Sequence, residues 1–162
     1  MNATGSSADV RVSLALPHLA DALETTLDDV AGESTGFILF TFRFNTTAGR
    51  AQHISNVPRD RMIDQVERLL RYWRDGSGDV PLVIKTADLP VAMPSIGIEL
   101  RGSLERIAGE YTGFALLVFL ERHSGRPSYI SNAARPDVTV QLAQLLEYWK
   151  SGAPDVPAHQ VQ

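Results

Sequence analysis

A chain of 162 residues with 44% apolar and 21% charged side chains has the make-up of a globular protein with a core of ordinary size. The formal net charge of −4 is spread evenly: residues 1–83 carry 8 basic and 11 acidic groups and residues 84–162 carry 7 and 8, so neither half is the clustered positive surface that general nucleic-acid binding needs. The absence of cysteine excludes disulfides, thiolate metal sites and a cysteine nucleophile together, and it fits a reducing cytoplasm.

Residues 1–9 are small and polar, and they are read as a disordered lead rather than a signal peptide. Residues 10–16 alternate partly and are expected to form a short extra strand. Pro17 suits the first turn of a helix, where its missing N–H is not needed. Leu19, Leu23, Leu27 and Val30 follow at spacings that place them on one helical face, and Gly32 stands where a C-terminal cap belongs. The central strand is expected over 37–44. Its first half (Gly36, Phe37, Ile38, Leu39, Phe40) shows no polar alternation, the pattern of a strand covered on both faces. A turn-rich stretch from Asn45 to Gly49 leads to a short returning strand over 50–55. Ser55 and Asn56 are read as capping a second helix, whose stripe is Met62, Val66, Leu69, Leu70 and Trp73 and whose stop is Gly76. Residues 82–93 read as a linker in which Val83 and Ile84 pair briefly as a strand.

The same grammar then returns. Ala31, Gly32, Glu33, Ser34, Thr35, Gly36 and Phe37 recur as Ala108, Gly109, Glu110, Tyr111, Thr112, Gly113 and Phe114. Ile54, Ser55 and Asn56 recur as Ile130, Ser131 and Asn132, one position closer, so a residue has been lost in the hairpin loop, where length changes are tolerated. In the second copy Pro94 opens a helix with the stripe Ile96, Leu100, Leu104 and Ile107. Strands are expected over 114–121 and 126–131, and Val138, Leu142, Leu145, Leu146 and Trp149 form the last stripe, ending at Gly152.

The expected fold is therefore α+β: tandem duplicated αββα units, residues 1–83 with the lead and 84–162, forming a pseudo-twofold four-stranded antiparallel sheet with four helices. A unit of about 75 residues has a marginal core alone, and joining the units hides a sheet edge. Phe37, Leu39, Phe114, Leu116, Trp73 and Trp149 are expected to be buried. Four helices on one face would leave large side chains of the central strands uncovered, and a homodimer through that exposed sheet face would cover them.

Gly113, Phe114, Ala115, Leu116, Leu117, Val118 and Phe119, then Gly125 and Arg126, then Tyr129, Ile130, Ser131 and Asn132, resemble small single-unit proteins encoded by phages and prophages. Those share this hairpin followed by an amphipathic helix and have no assigned activity. The resemblance covers one repeat, and the first copy departs from it with His53 in place of Tyr129 and Thr46 and Thr47 in the loop. It implies a mobile-element origin and a small non-enzymatic role.

Each copy places an arginine after the hairpin glycine (Arg50, Arg126), Ser–Asn at the strand end (Ser55 and Asn56, Ser131 and Asn132), and a further arginine close behind (Arg59, Arg135). Helix N–H groups beside arginines can hold a phosphate or carboxylate; the plainer reading is a capped helix with solvated charges. Trp73 and Trp149 fall on the apolar stripes, whereas Tyr72 and Tyr148 flank them and are the aromatic candidates for a ligand or partner. The four histidines (His18, His53, His123, His159) lack ligand spacing, so no metal site is expected, and no cofactor. Ser55 with His53 has no evident carboxylate orienter, so no catalytic residue is assigned. Glu33 and Glu110 recur after the helix-ending glycines and raise the idea of paired acids in a shared cleft, though loop glutamates that bond backbone amides are the favoured reading. The expectation is a cytoplasmic, non-enzymatic protein, without a membrane span, that binds or sequesters a macromolecular partner, a protein rather than a nucleic acid. The alternative is a small-anion or nucleotide binder built on the paired arginines.

Overall fold

In the computed structural model, which describes residues 7–43, 51–75, 88–120 and 127–154, each copy contributes a helix, a long strand, a short strand and a second helix. The order is α1 (Ser7–Ala31), β1 (Thr35–Arg43), β2 (Gln52–Ser55), α2 (Arg59–Asp75), α3 (Asp88–Ala108), β3 (Thr112–Leu120), β4 (Ser128–Ser131) and α4 (Arg135–Lys150). The fold class is α+β, as the periodicity implies.

The expected strand over 10–16 is instead the start of α1, and Pro17 lies inside that helix. The alternation of Val10, Val12, Leu14 and Leu16 hid a second pattern. Ala8, Val12 and Leu16 are spaced four apart, continue the stripe to Leu23 and Leu27, and are all buried. Tertiary burial of that stripe decides between the two periods. Likewise α3 begins ahead of Pro94, so part of the expected linker is helical and Met93 is core. Both prolines are exposed, on the side of the helix where water can serve the carbonyl left without its N–H partner. Gly32 and Gly109 do close these helices. They have φ of 70° and 74°, and their N–H groups donate to Asp28 O at 2.9 Å and Glu105 O at 2.8 Å. The expected pairing of Val83 and Ile84, the hairpin loops, and the stop at Gly76 lie outside the described residues.

The strands form one antiparallel sheet in the order β2-β1-β3-β4. The central pair runs from Thr35 opposite Leu120, through Leu39 opposite Leu116, to Arg43 opposite Thr112. Exchanging equivalent residues of the two copies maps this register onto itself.

Alternate residues of the central strands serve two cores. Phe37, Leu39, Phe114, Leu116 and Val118 meet α1 and α3. Ile38, Phe40, Phe42, Ala115, Leu117 and Phe119 meet α2 and α4. The helices thus cover both sides of the sheet in two pairs, not one side in a group of four. This removes the exposed sheet face through which a homodimer was expected, because the large side chains that would have needed a partner are already covered from within the chain. Of the six residues expected in the core, five are buried and Trp73 is only half-buried.

Two glycines set how closely β1 and β3 approach. Gly36 lies opposite Phe119, and Gly113 lies opposite Phe42. A Cβ at either glycine would come closer than 3.0 Å to the facing phenyl ring, so each ring rests on backbone where a side chain would stand. Gly36→Ala and Gly113→Ala should each destabilise the protein by about 1–3 kcal/mol through overpacking. Urea unfolding is the check, and unchanged midpoints would show that the rings can move aside.

Candidate functional site

The recurring Ser–Asn pair sits where each short strand leaves the sheet. Asn56 Oδ1 accepts the Phe37 N–H at 2.9 Å, and its Nδ2 donates to Thr35 O at 2.9 Å. Asn132 does the same with Phe114 N–H and Thr112 O, both at 2.8 Å. A carboxamide offers the donor and acceptor of a peptide group, so each asparagine extends the ladder by one step after its strand has turned away. The serines assist: Ser55 Oγ donates to Phe37 O and Ser131 Oγ to Phe114 O, each at 2.6 Å, while accepting the N–H groups of Val57 at 3.1 Å and Ala133 at 3.0 Å.

These side chains are therefore strand clips. They are not the caps expected from their position. Helix α4 has Ala134 as its N-cap with no side-chain cap bond, and α2 begins at Arg59. The sequence could not separate the two roles, because capping and strand clipping both favour short polar residues at a strand-to-helix junction.

The arginines after the junction meet aromatic rings. Arg135 is exposed, donates to the Tyr129 hydroxyl, and places its Cζ 5.2 Å from the Trp73 ring centre and 5.8 Å from that of Tyr129. Trp73 and Tyr129 meet edge to face at 4.9 Å. At the equivalent positions of the other copy, Trp149 meets His53 edge to face at 5.0 Å, with Phe40 at 6.0 Å from Trp149 and 6.5 Å from His53. Arg59 is half-buried and donates from Nη1 to Ala153 O at 2.6 Å.

In both clusters the tryptophan comes from one copy and the ring it meets edge to face from the other, and in the first cluster Arg135 comes from the same copy as the ring. Sequence reasoning missed this exchange. It identified Trp73, Trp149, His53 and Tyr129 singly, but nothing in a linear repeat states which copy a helix end will meet.

The remaining candidates are placed as follows. Tyr72 is half-buried in the layer of α2 and α4, and Tyr148 donates its hydroxyl to Pro154 O. Arg50 and Arg126 lie outside the described residues, as do His123 and His159. The Ser55, Asn56, Ser131 and Asn132 side chains bond to backbone groups at the junction, and Arg59 and Arg135 bond elsewhere, to Ala153 O and the Tyr129 hydroxyl. Glu110 forms an ion pair with Arg43 at 3.3 Å. Glu33 and Glu110 precede β1 and β3, which run antiparallel, so the two acids stand at opposite ends of the ladder and share no cleft.

Among the described residues no group of three or more His, Cys, Asp or Glu side chains is placed to hold a metal ion, and no helix is long and apolar enough to cross a membrane. No protein-family model, no curated protein and no solved structure matches the chain.

Two predictions follow from this geometry. Asn56→Ala or Asn132→Ala leaves a buried strand N–H without its acceptor, at an expected cost of about 1–3 kcal/mol in denaturant unfolding. A near-neutral result would mean that the ladder closes without the clip. Trp149→Ala should cost about 3–5 kcal/mol and Trp73→Ala roughly half that, because only Trp149 is fully buried, at 2% exposure. Equal costs would show that the half-exposed position of Trp73 does not govern its contribution.

Proposed function

We propose that the chain is a cytoplasmic, non-enzymatic binding protein that holds a protein partner on the face formed by Arg135, Trp73 and Tyr129. In this reading a pseudo-twofold axis relates the two copies, so the binding face is built from both. The self-mapping register of β1 with β3 supports that relation.

The observation that carries the proposal is the exposed guanidinium of Arg135 resting on a half-buried indole and a phenol. Tryptophan, tyrosine and arginine are the residue types in which binding energy concentrates at protein interfaces. Tryptophan and tyrosine offer large rigid area, and arginine brings planar donors that are only weakly hydrated. A cation over an aromatic face is worth about 0.5–1 kcal/mol where solvent screens it and more once a partner excludes water.

The anion reading draws less support. Ser55, Asn56, Ser131 and Asn132 bond to backbone groups, so the polar side chains that were to complete a phosphate site are committed elsewhere.

The test compares the unaltered protein with Arg135→Glu in affinity purification from the native host, beside a thermal-shift series with nucleotides and inorganic phosphate. The unaltered protein should retain a stoichiometric partner that Arg135→Glu loses, with little change in the melting midpoint of the variant. A midpoint raised by a nucleotide or phosphate, with no partner retained, would replace this reading by the anion one, since a ligand of the folded state raises the midpoint by mass action.

A further inference from the structure

Arg59 and Arg135 hold equivalent positions in the two copies, yet their surroundings differ. Arg135 is exposed and bonds to the Tyr129 hydroxyl. Arg59 is half-buried and bonds to the carbonyl of Ala153, in the segment that follows α4. The ring at position 53 is an imidazole, which lacks the phenolic oxygen that holds Arg135 in the other cluster.

The segment that reaches Arg59 is shaped for that contact. Ser151 Oγ donates to Tyr148 O at 2.6 Å and accepts the Ala153 N–H at 3.3 Å. Gly152 turns the chain with a φ of 80°, a conformation that few other residues adopt. The Tyr148 hydroxyl then donates to Pro154 O, so two successive carbonyls are held by two side chains. Pro154 restricts Ala153 to extended backbone, which reduces the entropy lost on docking. The segment after α2 carries Ser77 and Gly78 where Ala153 and Pro154 stand.

We propose that residues 152–154 act as an internal strap that covers Arg59, leaving Arg135 as the open one of two equivalent arginines. The strap is a peptide bound in cis: its carbonyls occupy donors that a partner's backbone would otherwise reach. The chain accordingly presents one binding face, not two. What the open face binds rests on the function proposed above; the closure does not, and it is tested without a partner.

Full-length protein is treated with phenylglyoxal, and the modification of each arginine is followed by peptide mass spectrometry, with circular dichroism to confirm folding. In the unaltered protein Arg59 should react more slowly than Arg135. Three variants should open it. Gly152→Val places a β-branched residue at positive φ. Tyr148→Phe removes the hydroxyl that holds Pro154. His53→Tyr offers Arg59 the oxygen that Arg135 already uses. Each should raise the Arg59 rate about fivefold, the change in open population that the loss of one hydrogen bond produces, with Arg135 unchanged.

Equal reactivity of the two arginines in the unaltered protein overturns the proposal, and so does protection of Arg59 that persists in all three folded variants. If the strap is shown but Arg135→Glu keeps its partner, the strap stands and only the reading of the open face falls.

Discussion

The pairing of β1 with β3 is the constraint from which the rest of the architecture follows. Every residue from Thr35 to Phe42 and from Thr112 to Leu120 is buried, so both faces of both strands must be covered. A single copy owns one helix for each face, but it would leave one edge of its long strand unpaired. Joining the strands edge to edge brings the helices together as α1 with α3 and α2 with α4, and each pair then spans the central strands. The close approach depends on Gly36 and Gly113, because a ring packed over a glycine fills the space a side chain would have taken. Pairing β1 with β3 gives each long strand a partner along the edge that its own hairpin leaves open.

Shared packing does not keep the copies identical, and their differences collect where polar side chains tie the elements together. Arg11 in α1 donates to the carbonyls of Ile107 and Ala108 at the end of α3, where it satisfies helix acceptors that would otherwise face water. Asp88 holds the equivalent position in the sequence of the second copy. Asp28 Oδ1 accepts both the N–H and the hydroxyl of Thr35, at 3.0 and 2.9 Å, whereas Thr112 Oγ1 donates to Glu110 O at 3.2 Å. The Lys150–Glu67 pair at 2.6 Å links α4 to α2 on an exposed surface, where such a pair adds little to stability. The apolar positions are constrained by the common sheet. The polar ones are free to differ, and with them what each copy presents to solvent.

How much was legible in the sequence follows from the range of the interaction involved. The helix stripes, the unbroken apolar strands, the C-terminal glycines and the duplication are local patterns, and they led to the strand pairing and the fold class. Residues 10–16 were misread because Ala8, Val12 and Leu16 satisfy a helical period while their neighbours satisfy an alternating one. The choice lies in what the segment packs on, not in the segment. The Ser–Asn junction was found, but its chemistry was misassigned, since a side chain that caps a helix and one that clips a strand look alike until the strand partner is known. Trp73 was expected in the core because it shares its stripe position with Trp149. The rings they meet differ, Tyr129 beside Trp73 and His53 with Phe40 beside Trp149, and no single helix encodes those partners.

The two tryptophans also show how the clusters differ in energy. Each indole N–H is buried without an acceptor, which costs about 1–3 kcal/mol. Full burial of an aromatic side chain removes roughly 200 Å² from water and returns about 5 kcal/mol at 25 cal/mol per Å², so Trp149 more than offsets the unsatisfied N–H. Trp73 bears the same penalty with part of its surface still in water, so its gain is smaller and the balance is closer. The guanidinium of Arg135 over its ring makes up some of the difference. A surface that covered Trp73 would bury the remaining area with no further polar cost from the indole, because that cost has already been met in folding. The cluster with the exposed arginine is thus also the one with the larger unclaimed gain from burial. An apolar area still partly in water thus lies beside an exposed cation, and this is the physical ground for the binding face proposed above.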